Sequence, residues 1–89
     1  MLCEDIVIVN KLGLHARAAA KFVTTASKFE STIKISKDER VVDGKSIMSV
    51  MMLAASYGTT INISADGPDE QSAFQAIKEL INNKFDEGE

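Results

Sequence analysis

The sequence predicts an α+β fold in which short strands form one sheet and amphipathic helices cover one of its faces. Four short segments are β-branched or alternate in polarity, which suits strands with one buried and one wet side. Two longer segments repeat apolar residues at three- and four-residue steps, as one face of a helix does, and a third, shorter helix is marked by its capping serine. In chain order these read β-α-β-β-α-β-α, and a two-layer sandwich is their natural packing. The pattern does not fix the strand order.

The first strand is expected over the β-branched run Ile6-Val7-Ile8-Val9. Residues 10–14 read as a loop, with Gly13 free to take a positive φ. From Ala16 the apolar positions Ala19, Phe22, Val23, Ala26 and Phe29 mark a helix face. Thr32 to Ser36 alternates, with Ile33 and Ile35 inward; Lys37-Asp38-Glu39 turns the chain into a strand around Arg40 to Val42. Ser46 is placed to cap a helix from Ile47 to about Ser56, and Gly58 to end it in a left-handed conformation. Thr60 to Asp66 alternates again, with Ile61, Ile63 and Ala65 on one side. Gly67-Pro68-Asp69-Glu70 opens the last helix, Pro68 suiting its first position; Ala73, Phe74, Ile77, Leu80 and Ile81 form its buried stripe.

Composition narrows the function. Eighty-nine residues make one domain, residues 1–89, and 45% apolar content is enough for a core. With one Tyr and four Phe, that core is mostly aliphatic. The net charge of −3 argues against a nucleic-acid partner, for which a basic excess is the rule. One His and one Cys cannot build a His/Cys metal site, so no metal or cofactor is expected. No segment is long enough to cross a membrane as a helix, no secretory signal is visible, and the lone Cys3 fits a reducing compartment, so a cytoplasmic setting is expected. Cys3 reads as a packing or edge residue, and the acidic end from Asp86 to Glu89 as a solvated tail.

His15 stands at the seam between the Gly13 loop and the first helix. A helix N-terminus offers unpaired N–H groups and the positive end of the dipole, so an anion held there accepts those hydrogen bonds directly. A phosphoryl group on this ring would meet the amides of Ala16 and Arg17, and Arg17 adds a permanently charged planar fork suited to phosphate. A neutral imidazole is a competent nucleophile. Each such bond contributes on the order of 1.5 to 3 kcal/mol, enough to steady a labile N–P bond in an exposed site without trapping it. A histidine in this place can equally be only a cap or a surface residue, and the local chemistry leaves both readings open.

The motifs decide further. Gly13-Leu14-His15-Ala16-Arg17 followed by Ala19-Ala20 resembles the active-site signature of the HPr family, the phosphocarrier proteins of the phosphoenolpyruvate-dependent phosphotransferase system. Gly44-Lys45-Ser46-Ile47-Met48 followed by Val50-Met51 resembles that family's second signature. The resemblance spans essentially the whole chain and implies an open-faced sandwich, with an antiparallel sheet in the order 1-4-2-3 and three helices on one side. It implies a carrier rather than a stand-alone enzyme: His15 takes phosphate on Nδ1 from phospho-enzyme I and gives it to an enzyme IIA, with Arg17 assisting. Bacterial sugar transport is the setting this suggests, and the protein is expected to be a monomer. The family usually has Pro one residue after the Arg; here Ala18 stands in that place, and a somewhat looser first turn is expected.

In some members of the family the serine of the second motif is phosphorylated by a dedicated ATP-dependent kinase, so Ser46 becomes a candidate regulatory site and a serine kinase/phosphorylase a candidate partner. Capping alone also accounts for Ser46. Ile47, Met48, Met51 and Met52 are too many apolar residues for one buried face of a short helix. Either all are core, or Ile47, Met48 and Met51 are exposed beside His15 and, with Ala20 and Arg17, form a partner-docking patch. Methionine's adaptability suits a protein that fits several partners. Two rivals stand beside the carrier: a phosphorylation-dependent regulatory protein on the same fold, and an unrelated small domain binding RNA or a metabolite. The segment Lys84-Phe85-Asp86-Glu87 looks somewhat like that of nitrogen-related branches, whereas the second motif leans toward the kinase-regulated carriers.

Overall fold

A computed structural model describes residues 1–86 of the chain. Its elements are β1 (Leu2–Val7), α1 (Ala16–Ala26), β2 (Thr32–Lys37), β3 (Arg40–Asp43), α2 (Ile47–Met52), β4 (Thr60–Asp66) and α3 (Glu70–Asn82), followed by a short helical turn over Lys84–Asp86. The four strands form one sheet in the order β1-β4-β2-β3, every neighbouring pair antiparallel. Both the element order and the strand order are those expected.

Alternation along the strands divides the sheet into two faces. Ile6, Ile33, Ile35, Ile61, Ile63 and Ala65 are buried and meet Ala19, Phe22 and Ala26 of α1, Val50 of α2 and Ala73, Phe74, Ile77 and Ile81 of α3 in one apolar cluster. The intervening positions are exposed or half-buried; there Asn62 of β4 accepts from the Cys3 thiol at 3.1 Å and donates to Asp5 at 2.9 Å across to β1. Cys3 is an exposed residue of an edge strand, as its place in the sequence suggests.

Several boundaries differ from expectation. β1 begins at Leu2 rather than Ile6, because pairing with β4 runs from Leu2↔Ala65 to Val7↔Thr60 and draws in the polar residues Glu4 and Asp5. Ile8 lies past the strand, although it donates to Thr59 O and its carbonyl accepts from Gly58 N. α1 stops at Ala26, so Phe29 packs on the core from the following turn. α2 stops at Met52, well short of Ser56. Its left-handed residue is Ala54 (φ 53°), while Gly58 (φ 83°) serves the turn that returns the chain to Ile8. Pro68 is not the first residue of α3, which begins at Glu70 behind Asp69. The Asp69 carboxylate accepts instead from the Glu30 and Ser31 amides and the Ser31 hydroxyl, tying the start of α3 to the α1–β2 loop.

The end of the chain departs most. Lys84, Phe85 and Asp86 all take positive φ (56°, 54° and 60°), and this left-handed turn drives Phe85 fully into the core. Its carbonyl accepts from Lys21 Nζ on α1 at 2.7 Å. Asp86, expected in a solvated tail, is exposed; the rest of that acidic segment lies outside the described residues.

Candidate functional site

The loop before His15 is fixed by its own backbone. The Asn10 amide side chain donates to Gly13 O at 2.8 Å, while Gly13 N donates to Asn10 O at 3.2 Å, closing a tight turn. Leu14 N then donates to Ala55 O at 2.8 Å, docking the loop on the segment after α2. Gly13 is required twice over. Its φ is +68°, and a Cβ there would stand 2.5 Å from Ala55 O and 2.7 Å from Ser56 Cα.

His15 is the N-cap of α1, in extended conformation (φ −76°, ψ 179°) and half-buried. Its Nδ1 accepts from Arg17 N at 3.3 Å, doing with a ring nitrogen what serine or aspartate does with an oxygen at this position. A nitrogen that accepts carries a lone pair, so the neutral ring holds its proton on Nε2. The first turn is closed by Ala19 N donating to His15 O at 2.8 Å, and Ala18, where a proline is usual, is fully buried in it. Ala18 thus leaves the first backbone bond of the helix formed.

Ala16 and Arg17 follow as the first two helical residues, both exposed. Arg17 and the half-buried Ala20 line a shallow groove of about 320 Å³ with Lys21, Thr24, Leu80 and Asp86. The capping alternative for His15 is therefore true, and it uses the lone pair of Nδ1.

Ser46 caps α2, its Oγ accepting from Ser49 N at 3.4 Å. The turn before it is held by Gly44 N to Ile33 O at 2.7 Å, Lys45 N to Asp43 Oδ1 at 2.9 Å and Lys45 Nζ to Phe29 O at 2.7 Å. A Cβ on Gly44 would lie 2.6 Å from Ile33 Cγ2, which accounts for the glycine.

The alternative that buries every apolar residue of α2 does not hold. Val50 alone is buried; Ile47 is 43% exposed, Met48 68%, Met51 37% and Met52 63%. Loop residues enlarge the exposed apolar surface in a way the sequence did not announce. Leu12 and Tyr57, 62% and 67% exposed, flank the close approach of Gly13 to Ser56. No local period marks them, because only the tertiary contact brings the two loops together.

With this geometry in place, similarity to known proteins becomes informative. A family model described as the PTS HPr component phosphorylation site matches residues 2–83. The chain belongs to the HPr family. It is 56% identical over 89 residues to the phosphocarrier protein HPr of Cupriavidus necator and 54% identical over 89 residues to that of Neisseria meningitidis, each match covering 100% of both chains. Among solved structures, HPr-C-His from Thermoanaerobacter tengcongensis superposes with a TM-score of 0.94 at 50% identity, covering 98% of each chain. The open-faced sandwich inferred from the two motifs is thus an HPr fold. Among the described residues no helix is long and apolar enough to cross a membrane, and no cluster of His, Cys, Asp or Glu could hold a metal ion.

Proposed function

We propose that this protein is a phosphoryl carrier of the phosphotransferase system, accepting phosphate from phospho-enzyme I on His15 Nδ1 and passing it to an enzyme IIA. The observation that carries this reading is the Nδ1 lone pair directed at a helix N-terminus. In transfer, that lone pair attacks phosphorus, an N–P bond forms on Nδ1, and the donor's bond to phosphorus breaks. Nδ1 then can no longer accept from the Arg17 amide. The loss is small, since a 3.3 Å bond lies at the long edge of the normal range. A phosphoryl oxygen takes over the same N–H, with the Ala16 amide and the Arg17 guanidinium within the same turn. The site exchanges one acceptor for a better one, so the phosphorylated state is steadied and remains exposed for the next transfer.

Ala20, Ile47, Met48 and Met51 form the docking patch in this reading; the exposure of Ile47, Met48 and Met51 supports it, and Ala20 is half-buried beside Arg17 in the groove on α1. The relay works in the cytoplasm, as a monomer, without a cofactor or nucleic-acid partner. Ser46 is a regulatory phosphorylation site for an HPr serine kinase/phosphorylase. A phosphate there would add about two negative charges beside the docking patch.

Incubation with phosphoenolpyruvate and enzyme I should place one acid-labile phosphate on the protein and none on His15→Ala. An unlabelled wild type would overturn the carrier reading. With ATP and the kinase, an acid-stable phosphate should appear and be lost in Ser46→Ala; equal labelling of that variant removes the regulatory role.

A further inference from the structure

A helix of six residues does not hold its shape unaided in water, and its terminal carbonyls need donors from elsewhere. α2 has no basic residue in its own last turn. The donors come from the β2–β3 hairpin. Arg40 Nη1 donates to Met52 O at 2.9 Å, and Lys37 Nζ donates to Leu53 O at 3.2 Å and Ala54 O at 3.3 Å. The next carbonyl, Ala55 O, accepts from Leu14 N, one residue before His15. Four consecutive carbonyls, from Met52 to Ala55, are therefore held from outside the helix, three by cations of the hairpin and the fourth by the loop that carries His15.

We infer that Lys37 and Arg40 are positioning residues for phosphoryl uptake: by holding this run of carbonyls, they fix where the Ile47–Met48–Met51 surface stands relative to His15. The inference rests on the proposed reading of that surface as the docking patch. Met51 lies on the turn that the hairpin fastens, Met48 stands one step of three residues before it on the same short helix, and His15 follows the loop bonded to the next carbonyl, Ala55 O. Cations also suit the negative end of a helix dipole. Neither side chain belongs to the buried apolar cluster. Their loss should leave global stability almost unchanged while loosening one local unit.

The test compares Lys37→Met/Arg40→Met, which keeps the apolar stems, with Lys37→Arg/Arg40→Lys, which keeps the charges. Uptake from phospho-enzyme I is followed as KM and kcat, together with amide exchange and thermal unfolding. The Met pair should raise KM by about fivefold to tenfold, as expected for the loss of one effective hydrogen bond, with kcat unchanged. Amide exchange at Leu14 and residues 53–55 should quicken while the unfolding midpoint moves by only a few degrees, and the charge-keeping pair should recover most of the KM. A higher KM without faster exchange would make these side chains direct partner contacts and overturn the positioning role. An Ile47→Ala/Met48→Ala variant separates the two readings. If it leaves KM unchanged, the docking surface is wrong; if it raises KM and the Met pair does not, the positioning role is wrong.

Discussion

Replacing Gly13 with alanine should damage the fold and the site together. Its φ of +68° lies in the left-handed region, which costs an L-residue about 1 to 2 kcal/mol. The stiffer unfolded chain returns about 0.4 to 1 kcal/mol of that. The larger effect is steric, because the new Cβ would stand 2.5 Å from Ala55 O and 2.7 Å from Ser56 Cα, both backbone atoms. Relief requires the loop to lift, which breaks the 2.8 Å bond from Leu14 N to Ala55 O and costs about 1 to 3 kcal/mol if the groups stay buried. The net expectation is a loss of about 2 to 4 kcal/mol, or roughly 10 to 25 °C in Tm for a domain this small. Thermal and urea unfolding followed by circular dichroism measure it, and amide exchange at Leu14 and Arg17 reports the local displacement. A loss below about 1 kcal/mol with unaltered exchange would refute the claim that this close approach locks the His15 loop.

Ala54 presents the reverse case: it holds φ 53° without being glycine, so Ala54→Gly should raise stability by about 0.5 to 1 kcal/mol in urea titration. Phe85→Ala should cost about 3 to 5 kcal/mol, the range for emptying a core aromatic site, and should release the amides around Lys84 to exchange. The Asp69 carboxyl is held below its usual 3.8, chiefly by the Ser31 hydroxyl and then by the Glu30 amide, with partial burial opposing. Its folded value lies under its unfolded one, so the stabilisation is complete above the unfolded value and disappears as pH falls through the folded one. Wild type should therefore unfold at a higher temperature than Asp69→Asn near neutral pH, and the two midpoints should converge as the solution is acidified below about pH 4.

Much of this architecture was legible because local and global preferences agree. Ile33, Ile35, Ile61 and Ile63 alternate and face the helices, and the stripe of α3 from Ala73 to Ile81 packs as its spacing predicts. The strand order came from the paired motifs, since alternation says which face is buried but not which strand is the neighbour. Several of the departures lie where a distant group supplies a hydrogen bond that the sequence cannot display locally. α2 ends at Met52, and the carbonyls of Met52, Leu53 and Ala54 accept from Arg40 and Lys37 of the distant hairpin. The Asp69 side chain is turned from capping its own helix toward Ser31. Phe85, in a string of polar residues, lies inward on a left-handed turn, and its carbonyl accepts from Lys21 on α1. At the site, the motif pointed to His15 and its place allowed a capping role, whereas which atom caps and the nearness of Leu12 to the Ser56–Tyr57 loop are set only by the folded chain.

The position of Cys3 has a practical consequence. It is the only thiol in the sequence, exposed on an edge strand and turned, with Asn62, toward the face that no helix covers. A maleimide dye would therefore attach once per molecule, on the side of the sheet away from α1 and α2. Energy transfer from such a dye to a labelled candidate partner could time encounters on the helix side, where the proposed His15 site lies, without the reporter standing in the way.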